Sequence, residues 1–205
     1  MPAFLWAFSR FILRTSTPLG YYQGMSFTRR NLPHWHPTGA HLFATWRLHG
    51  SLPRDRFPPV PIASGKAFAW MDRHLDEART GPLWLIREEI AQSVIDSMSY
   101  AAGTLGYCEL GAYVVMANHV HVLMLPLVAP SKLFQSIKGF SARAANKLLG
   151  RTGETFWENE SYDHWVRDAA EFGRIVRYIE NNPVRAGLAS RPEEYRWSSA
   201  WGRAT

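Results

Sequence analysis

Residues 107–126 read YCELGAYVVMANHVHVLMLP, and the fold turns on them. Tyr107 to Met116 is rich in strand-forming side chains and predicts a β-strand. Ala117-Asn118 predicts a tight turn, and His119 to Leu125 a second strand that Pro126 stops. Two such runs joined by so short a turn pair as an antiparallel hairpin. On a strand, alternate side chains share a face. His119 and His121 therefore point one way, and Val120 and Val122 the other. Two imidazoles at that spacing can bind one metal ion when their ring nitrogens are unprotonated. Taken alone, a His-x-His strand is more often chance or core packing than a metal site.

Working outward, the segments on either side complete an α+β pattern. Upstream, Pro33-His-Trp-His-Pro37 reads as irregular, with a proline at each end. His41 to His49 reads as a strand, and residues 50–65, with four prolines and two glycines, as a loop. Lys66 to Arg79 and Leu83 to Met98 predict helices parted by Gly81-Pro82. Downstream, Ser131 to Leu149 predicts a helix whose apolar stripe is Leu133, Ile137, Phe140, Ala144 and Leu148. Lys132, Arg143 and Lys147 fall on one flank of that stripe. Thr155 to Trp157 reads as a short strand, Ala169 to Asn182 as a strong helix ended by Pro183, and Arg191 to Trp201 as a short terminal helix or turn. Strands and helices in this order predict helices packed on an antiparallel sheet.

Composition narrows the partners. The chain has 205 residues, enough for one domain with a core, and 46% of them are hydrophobic. The formal charge is +6, which favours a polyanionic partner without choosing between nucleic acid and membrane. Residues 1–50 hold five arginines and no acid, residues 51–127 hold 6 Lys/Arg against 8 acids, and residues 128–205 hold 12 against 9. The basic excess therefore sits at the two ends. No apolar run reaches the ~18–20 residues that span a membrane. One cysteine, Cys108, excludes an internal disulfide and suits a cytoplasmic location; in its apolar segment it reads as a buried, inert thiol. Residues 1–24, ahead of a second methionine at Met25, read as a tail or as an artefact of start assignment.

The helix from Ala169 supplies the second half of a candidate site. Phe172, Ile175, Val176 and Ile179 form its apolar stripe. Tyr178 and Asn182 are one helical turn apart and share a face that borders this stripe. For an unspecified protein, a boundary tyrosine and a capping asparagine is the commoner reading. The combination with the two histidines changes the odds.

Tyr113-Val-Val-Met-Ala-Asn-His-Val-His-Val-Leu123 resembles the histidine–hydrophobic–histidine core of the single-tyrosine HUH transposases. Arg177-Tyr-Ile-Glu-Asn-Asn-Pro-Val-Arg-Ala-Gly-Leu188 resembles their nucleophile helix. More narrowly, the chain is similar to the REP-associated tyrosine transposases of bacteria. Leu32-Pro-His-Trp35, Thr45-Trp-Arg-Leu-His49, Lys138-Gly-Phe-Ser-Ala-Arg143, Tyr162-Asp163, Val166-Arg-Asp168 and Tyr195-Arg-Trp-Ser-Ser-Ala200 add to the likeness, which runs over roughly residues 29–200 in the right order. Ala117 departs from it, standing where family members commonly carry proline; the change removes no ligand.

The resemblance implies a ferredoxin-like fold, with a central antiparallel sheet and helices on one side. It implies a transposase domain over residues 29–205 with a basic C-terminal segment; residues 1–28 have no counterpart in it and read as a poorly ordered extension. It implies that His119 and His121 bind a divalent metal, Mg2+ or Mn2+, with Asn182 as third ligand, and that Tyr178 is the nucleophile. The reaction implied is cleavage and rejoining of single-stranded DNA at repeat hairpins through a 5′-phosphotyrosine. Lys132, Lys138, Arg143 and Lys147, with Arg185, Arg191 and Arg196, are the candidate DNA contacts. Single-stranded or hairpin DNA is the expected partner, no membrane is expected, and a homodimer is allowed. Two readings compete: a domesticated protein that grips DNA hairpins without chemistry, and a metal-dependent hydrolase that uses water. His164, beside Asp163, is the other histidine singled out for closeness to a metal.

Overall fold

The computed structural model describes residues 26–29, 33–36, 39–52, 64–77 and 81–203. The hairpin at its centre is β4 (Cys108–Val115) against β5 (His119–Pro126), antiparallel, with Val114 opposite His121. The turn closes where the Met116 amide donates to His119 O at 2.8 Å. Between Leu110 and Tyr113 the register shifts, and Gly111 sits in that shift. A Cβ there would lie 2.8 Å from Leu123 O, so the two backbones approach at a distance only glycine allows.

β3 (Leu42–Arg47) pairs with the other side of β5, and β6 (Tyr162–Trp165) pairs with β3, both antiparallel. The sheet order is β4-β5-β3-β6. Each outer strand follows a helical crossover from a strand two places away, which is the ferredoxin-like arrangement. β6 is a strand that the sequence pattern does not predict. Trp157 makes only a lone bridge to Leu48, so the short strand expected at Thr155–Trp157 reduces to a single pair. Pro33–His36, expected to be irregular, forms strand β2 against β1 (Ser26–Arg29). Pro33 sits at the strand's first position, where a missing amide is tolerated. The expected extension, residues 1–28, lies outside the described residues except for Ser26 to Thr28.

Strand alternation gives the sheet two buried faces. One carries Ala44, Trp46, Val120, Val122 and Met124, packed by α2 (Glu88–Gly103) and α3 (Pro130–Leu149). The other carries Phe43, Ala112, Val114 and Leu123, packed by Ile179 of α4 (Ala169–Arg185) and Phe68 of α1 (Ser64–Asp76). Helices therefore cover both faces rather than one side, and α4 with α1 roofs the face toward which the histidines point.

Two helices depart from the expected pattern. In α3 the buried positions are Leu133, Ile137, Ser141, Ala145 and Asn146, while Phe140 and Leu148 are exposed. The stripe follows the four-residue spacing through a serine. Ser141 is hidden in it because its hydroxyl donates to Ile137 O at 2.7 Å and accepts from Trp157 Nε1 at 2.9 Å. In α4 the helix runs through Pro183 to Arg185 instead of stopping at Asn182. A proline forfeits one amide bond, but the last turn is held by Ala186 N to Asn182 O at 3.0 Å and Leu188 N to Pro183 O at 2.8 Å. At its other end α4 is capped by Asp168, whose carboxylate accepts from Glu171 N. Beyond α4, a 3-10 turn at Pro192–Glu194 leads into a segment that lies along β4. The Val115 amide donates to Trp197 O, and the Ser199 amide to Tyr113 O, each at 2.9 Å.

Candidate metal and nucleophile site

His119 and His121 are both wholly buried on the roofed face. Their protonation follows from neighbours. The Asn118 Nδ2 donates to Leu75 O at 3.1 Å, and a carbonyl can only accept. That fixes the amide, so Asn118 Oδ1 faces His119 Nδ1 at 2.7 Å and must receive its hydrogen. The Nε2 of His119 is then a bare lone pair, a tautomer assigned from the network. Burial, aided by the neighbouring His121, pushes the His119 pKa down to about 3, so the ring is neutral near pH 7. His121 Nδ1 lies 2.7 Å from the Thr45 hydroxyl. The two Nε2 atoms face each other at 3.1 Å.

A carboxylate from α1 closes on this pair. Asp72 Oδ1 lies 3.0 Å from His121 Nε2 and 3.8 Å from His119 Nε2. One turn on, Asp76 Oδ1 lies 3.7 Å from His119 Nε2. Burial alone would raise the Asp72 carboxyl; nearby His121 and His119 and a hydrogen bond from Tyr178 hold it at about 2. Asp76 goes the other way, to about 7, through burial and the charge of Asp72. Neither aspartate belongs to the sequence motifs. The signal present in the sequence is two carboxylates at helical spacing among Phe68 and Leu75, on a face that should be apolar.

Tyr178 and Asn182 reach the same point from α4. The Tyr178 hydroxyl donates to Asp72 Oδ2. Its ring is held edge-on by Phe43 and Phe68, each with centroids 6.0 Å away, and stands 5.5 Å from the His121 ring. The Arg185 guanidinium lies 5.2 Å from the tyrosine ring centre. Burial, then the charge and hydrogen bond of Asp72, push the Tyr178 pKa well up, against the pull of Arg185. Asn182, fully buried, puts its Nδ2 3.2 Å from His121 Nε2.

These groups suit a divalent cation. Asp72, His119 and His121 offer donor atoms that all lie within 4.8 Å of one another. Asp72 Oδ1, Asp76 Oδ1 and Asn182 Oδ1 are buried and receive no hydrogen bond. Buried acceptors left without donors are costly unless a cation serves them. Turning the Asn182 amide would bring its oxygen to the same place. His164 is elsewhere: its Nε2 meets Glu171 Oε1 at 3.1 Å, tying β6 to the start of α4.

Residues 84–182 match the family model described as transposase, IS200-like. A solved REP-associated tyrosine transposase, bound to a REP hairpin, is similar in fold at 18% identity and a TM-score of 0.54, covering 85% of this chain and 82% of its own. A putative transposase from Deinococcus radiodurans R1 aligns at 19% identity over 69% of this chain and 89% of its own, with a TM-score of 0.41. No curated protein matches the sequence. The matched segment contains both histidines, Tyr178 and Asn182, while Asp72 lies before it.

The expected DNA contacts scatter. Lys132 and Arg143 are on α3, across the sheet from Tyr178, and each lies over an aromatic ring, Tyr107 at 4.6 Å and Phe140 at 4.8 Å. Lys147, also on α3, is exposed. Lys138 donates to Glu158 O at 2.7 Å, which ties it to the chain. Arg191 pairs with Glu194 at 2.9 Å and Arg196 with Glu88 at 3.2 Å. Of the seven, Arg185 alone stands beside the tyrosine.

Proposed function

We propose that this chain is a strand transferase that cleaves and rejoins single-stranded DNA at repeat hairpins through a 5′-phosphotyrosine on Tyr178. The observation that carries the reading is convergence. The Tyr178 hydroxyl and both histidine Nε2 atoms meet on one buried carboxylate, Asp72. His119, His121 and Asp72, with Asn182, would hold Mg2+ or Mn2+, which supplies Lewis-acid polarisation of a non-bridging phosphate oxygen.

The chain's own residues do the rest. Phe43 and Phe68 fix the plane of the Tyr178 ring, and Asp72 aims its hydroxyl. The phenol oxygen gives up its proton and bonds to phosphorus, the bond to the 3′ oxygen breaks, and that oxygen takes up a proton and leaves as a free 3′-OH. The reverse attack by a 3′-OH rejoins the strand, so no ATP is consumed. Arg185, beside the ring, places a positive charge where the phosphate must enter. The hairpin substrate and a cytoplasmic place of work belong to the same proposal. Among the described residues no helix is long and apolar enough to cross a membrane.

The test is a labelled hairpin oligonucleotide incubated with protein and Mn2+, then run on a denaturing gel. Wild type should give a protein–DNA band, and Tyr178→Phe should bind the hairpin yet give none. Binding without any band supports the domesticated hairpin-binding protein, and cleavage without a band the water-using hydrolase. An adduct that survives in Tyr178→Phe removes Tyr178 from its role.

A further inference from the structure

One carboxylate touches both the histidine pair and the tyrosine. We propose that Asp72 is a positioning residue that ties metal and nucleophile together: its Oδ1 completes the donor set with His119 and His121, while its Oδ2 holds the Tyr178 hydroxyl. The proposal rests on the reading of Tyr178 as nucleophile.

Geometry assigns the two oxygens different work. Oδ1 is 3.0 Å and 3.8 Å from the two histidine Nε2 atoms and receives no hydrogen bond. Oδ2 accepts from Tyr178. The side chain is 2% exposed, so water cannot serve the idle oxygen from bulk. A carboxylate buried for packing alone would be a poor choice, because an apolar residue of that size fits a core without the desolvation cost. Asp72 is therefore held in place for its charge. Asp76, one turn away, lies 3.7 Å from His119 Nε2, but the Tyr178 hydroxyl donates to Asp72 instead.

The ring of Tyr178 is already restricted by Phe43 and Phe68. What remains to be set is the direction of the hydroxyl, and that is what Oδ2 sets. A cation drawn to Oδ1 changes the electron density shared across the same carboxylate. The tyrosine hydroxyl should therefore sense the metal without touching it. α1 then serves as more than a cover for the sheet: its register fixes how nucleophile and metal face each other.

The experiment uses the full chain without DNA. Mn2+ affinity is read from the free-ion signal in electron paramagnetic resonance, and Tyr178 from its 13Cζ signal, assigned by loss in Tyr178→Phe, with and without Mg2+. Asp72→Asn should weaken Mn2+ binding by about 10–100-fold and abolish the Mg2+ response of the Tyr178 signal. Tyr178→Phe should keep Mn2+ affinity. If Asp72→Asn does not fold, Asp72→Glu retains the charge on a longer arm; it should keep Mn2+ binding and lose the Tyr178 response. Wild-type Mn2+ affinity in Asp72→Asn, or an unchanged Tyr178 response in whichever variant folds, would overturn the proposal. If wild type never forms an adduct with hairpin DNA, the proposed function fails, while these two signals still decide the role of Asp72.

Discussion

At the scale of single residues, the site sets opposed protonation demands. The folded state holds His119 at about 3 against 6.5, and Asp76 at about 7 against 3.8. Between those limits the unfolded chain takes up a proton at His119 that the folded chain refuses, so stability falls on acidification below about 6.5. Asp76 does the reverse. The folded chain keeps a proton that the unfolded chain gives up, so stability falls as pH rises from about 4 toward 7. In chelator the two slopes oppose each other between about pH 4 and 6.5. Urea unfolding across that range should show a steeper acid-side loss in Asp76→Asn and a shallower one in His119→Asn. Parallel profiles for both variants and wild type would mean that the two groups do not carry these shifts. The residues legible in the sequence are those with a local signature: His119 and His121 at strand spacing, Tyr178 and Asn182 at helical spacing. Asp72 has only its helical spacing from Asp76, because what brings it into the site is a partner 106 residues away.

Elements are legible where their periodicity is simple. The central hairpin, α4 and the α+β order follow from alternation and helical spacing, and the structure has them. β6 is hidden because Tyr162–Trp165 is four residues of mixed polarity, stabilised as a strand only by pairing with β3. The buried stripe of α3 escapes an apolar pattern because Ser141 is polar on its face and satisfied only once folded. The hairpin also contains its own weak point. Gly111→Ala would push a methyl group against Leu123 O, a backbone atom that cannot rotate away. The substitution should destabilise by about 1–3 kcal/mol, as overpacking does, and urea titration would measure it. A variant as stable as wild type would show that the register shift between Leu110 and Tyr113 relaxes freely. Since β5 carries both histidines, weaker metal binding should accompany the destabilisation.

At the scale of the whole molecule, the sheet divides two kinds of surface. Tyr178, Asp72 and the two histidines lie on the side of α4 and α1, and the cations of α3 lie behind the opposite face. A hairpin bound by Lys132, Arg143 and Lys147 would have to pass an edge of the sheet to reach Tyr178. Replacing these three by glutamine should weaken binding and lower the salt slope by about 0.7 for every single-strand phosphate that is no longer neutralised. Mn2+ affinity should not change, because the site is across the sheet. An unaltered salt slope would leave α3 without a role in DNA binding. A homodimer built by extending the sheet at Tyr113–Val115 is blocked, since Trp197 and Ser199 already occupy that edge. The distribution of the site over α1, β5 and α4 also has a meaning for biosynthesis. A ribosome must deliver the chain through Asn182 before Asp72, the histidine pair, Tyr178 and Asn182 can meet. If the proposed function holds, translation broken off before Tyr178 leaves a fragment without the residue that would attack DNA.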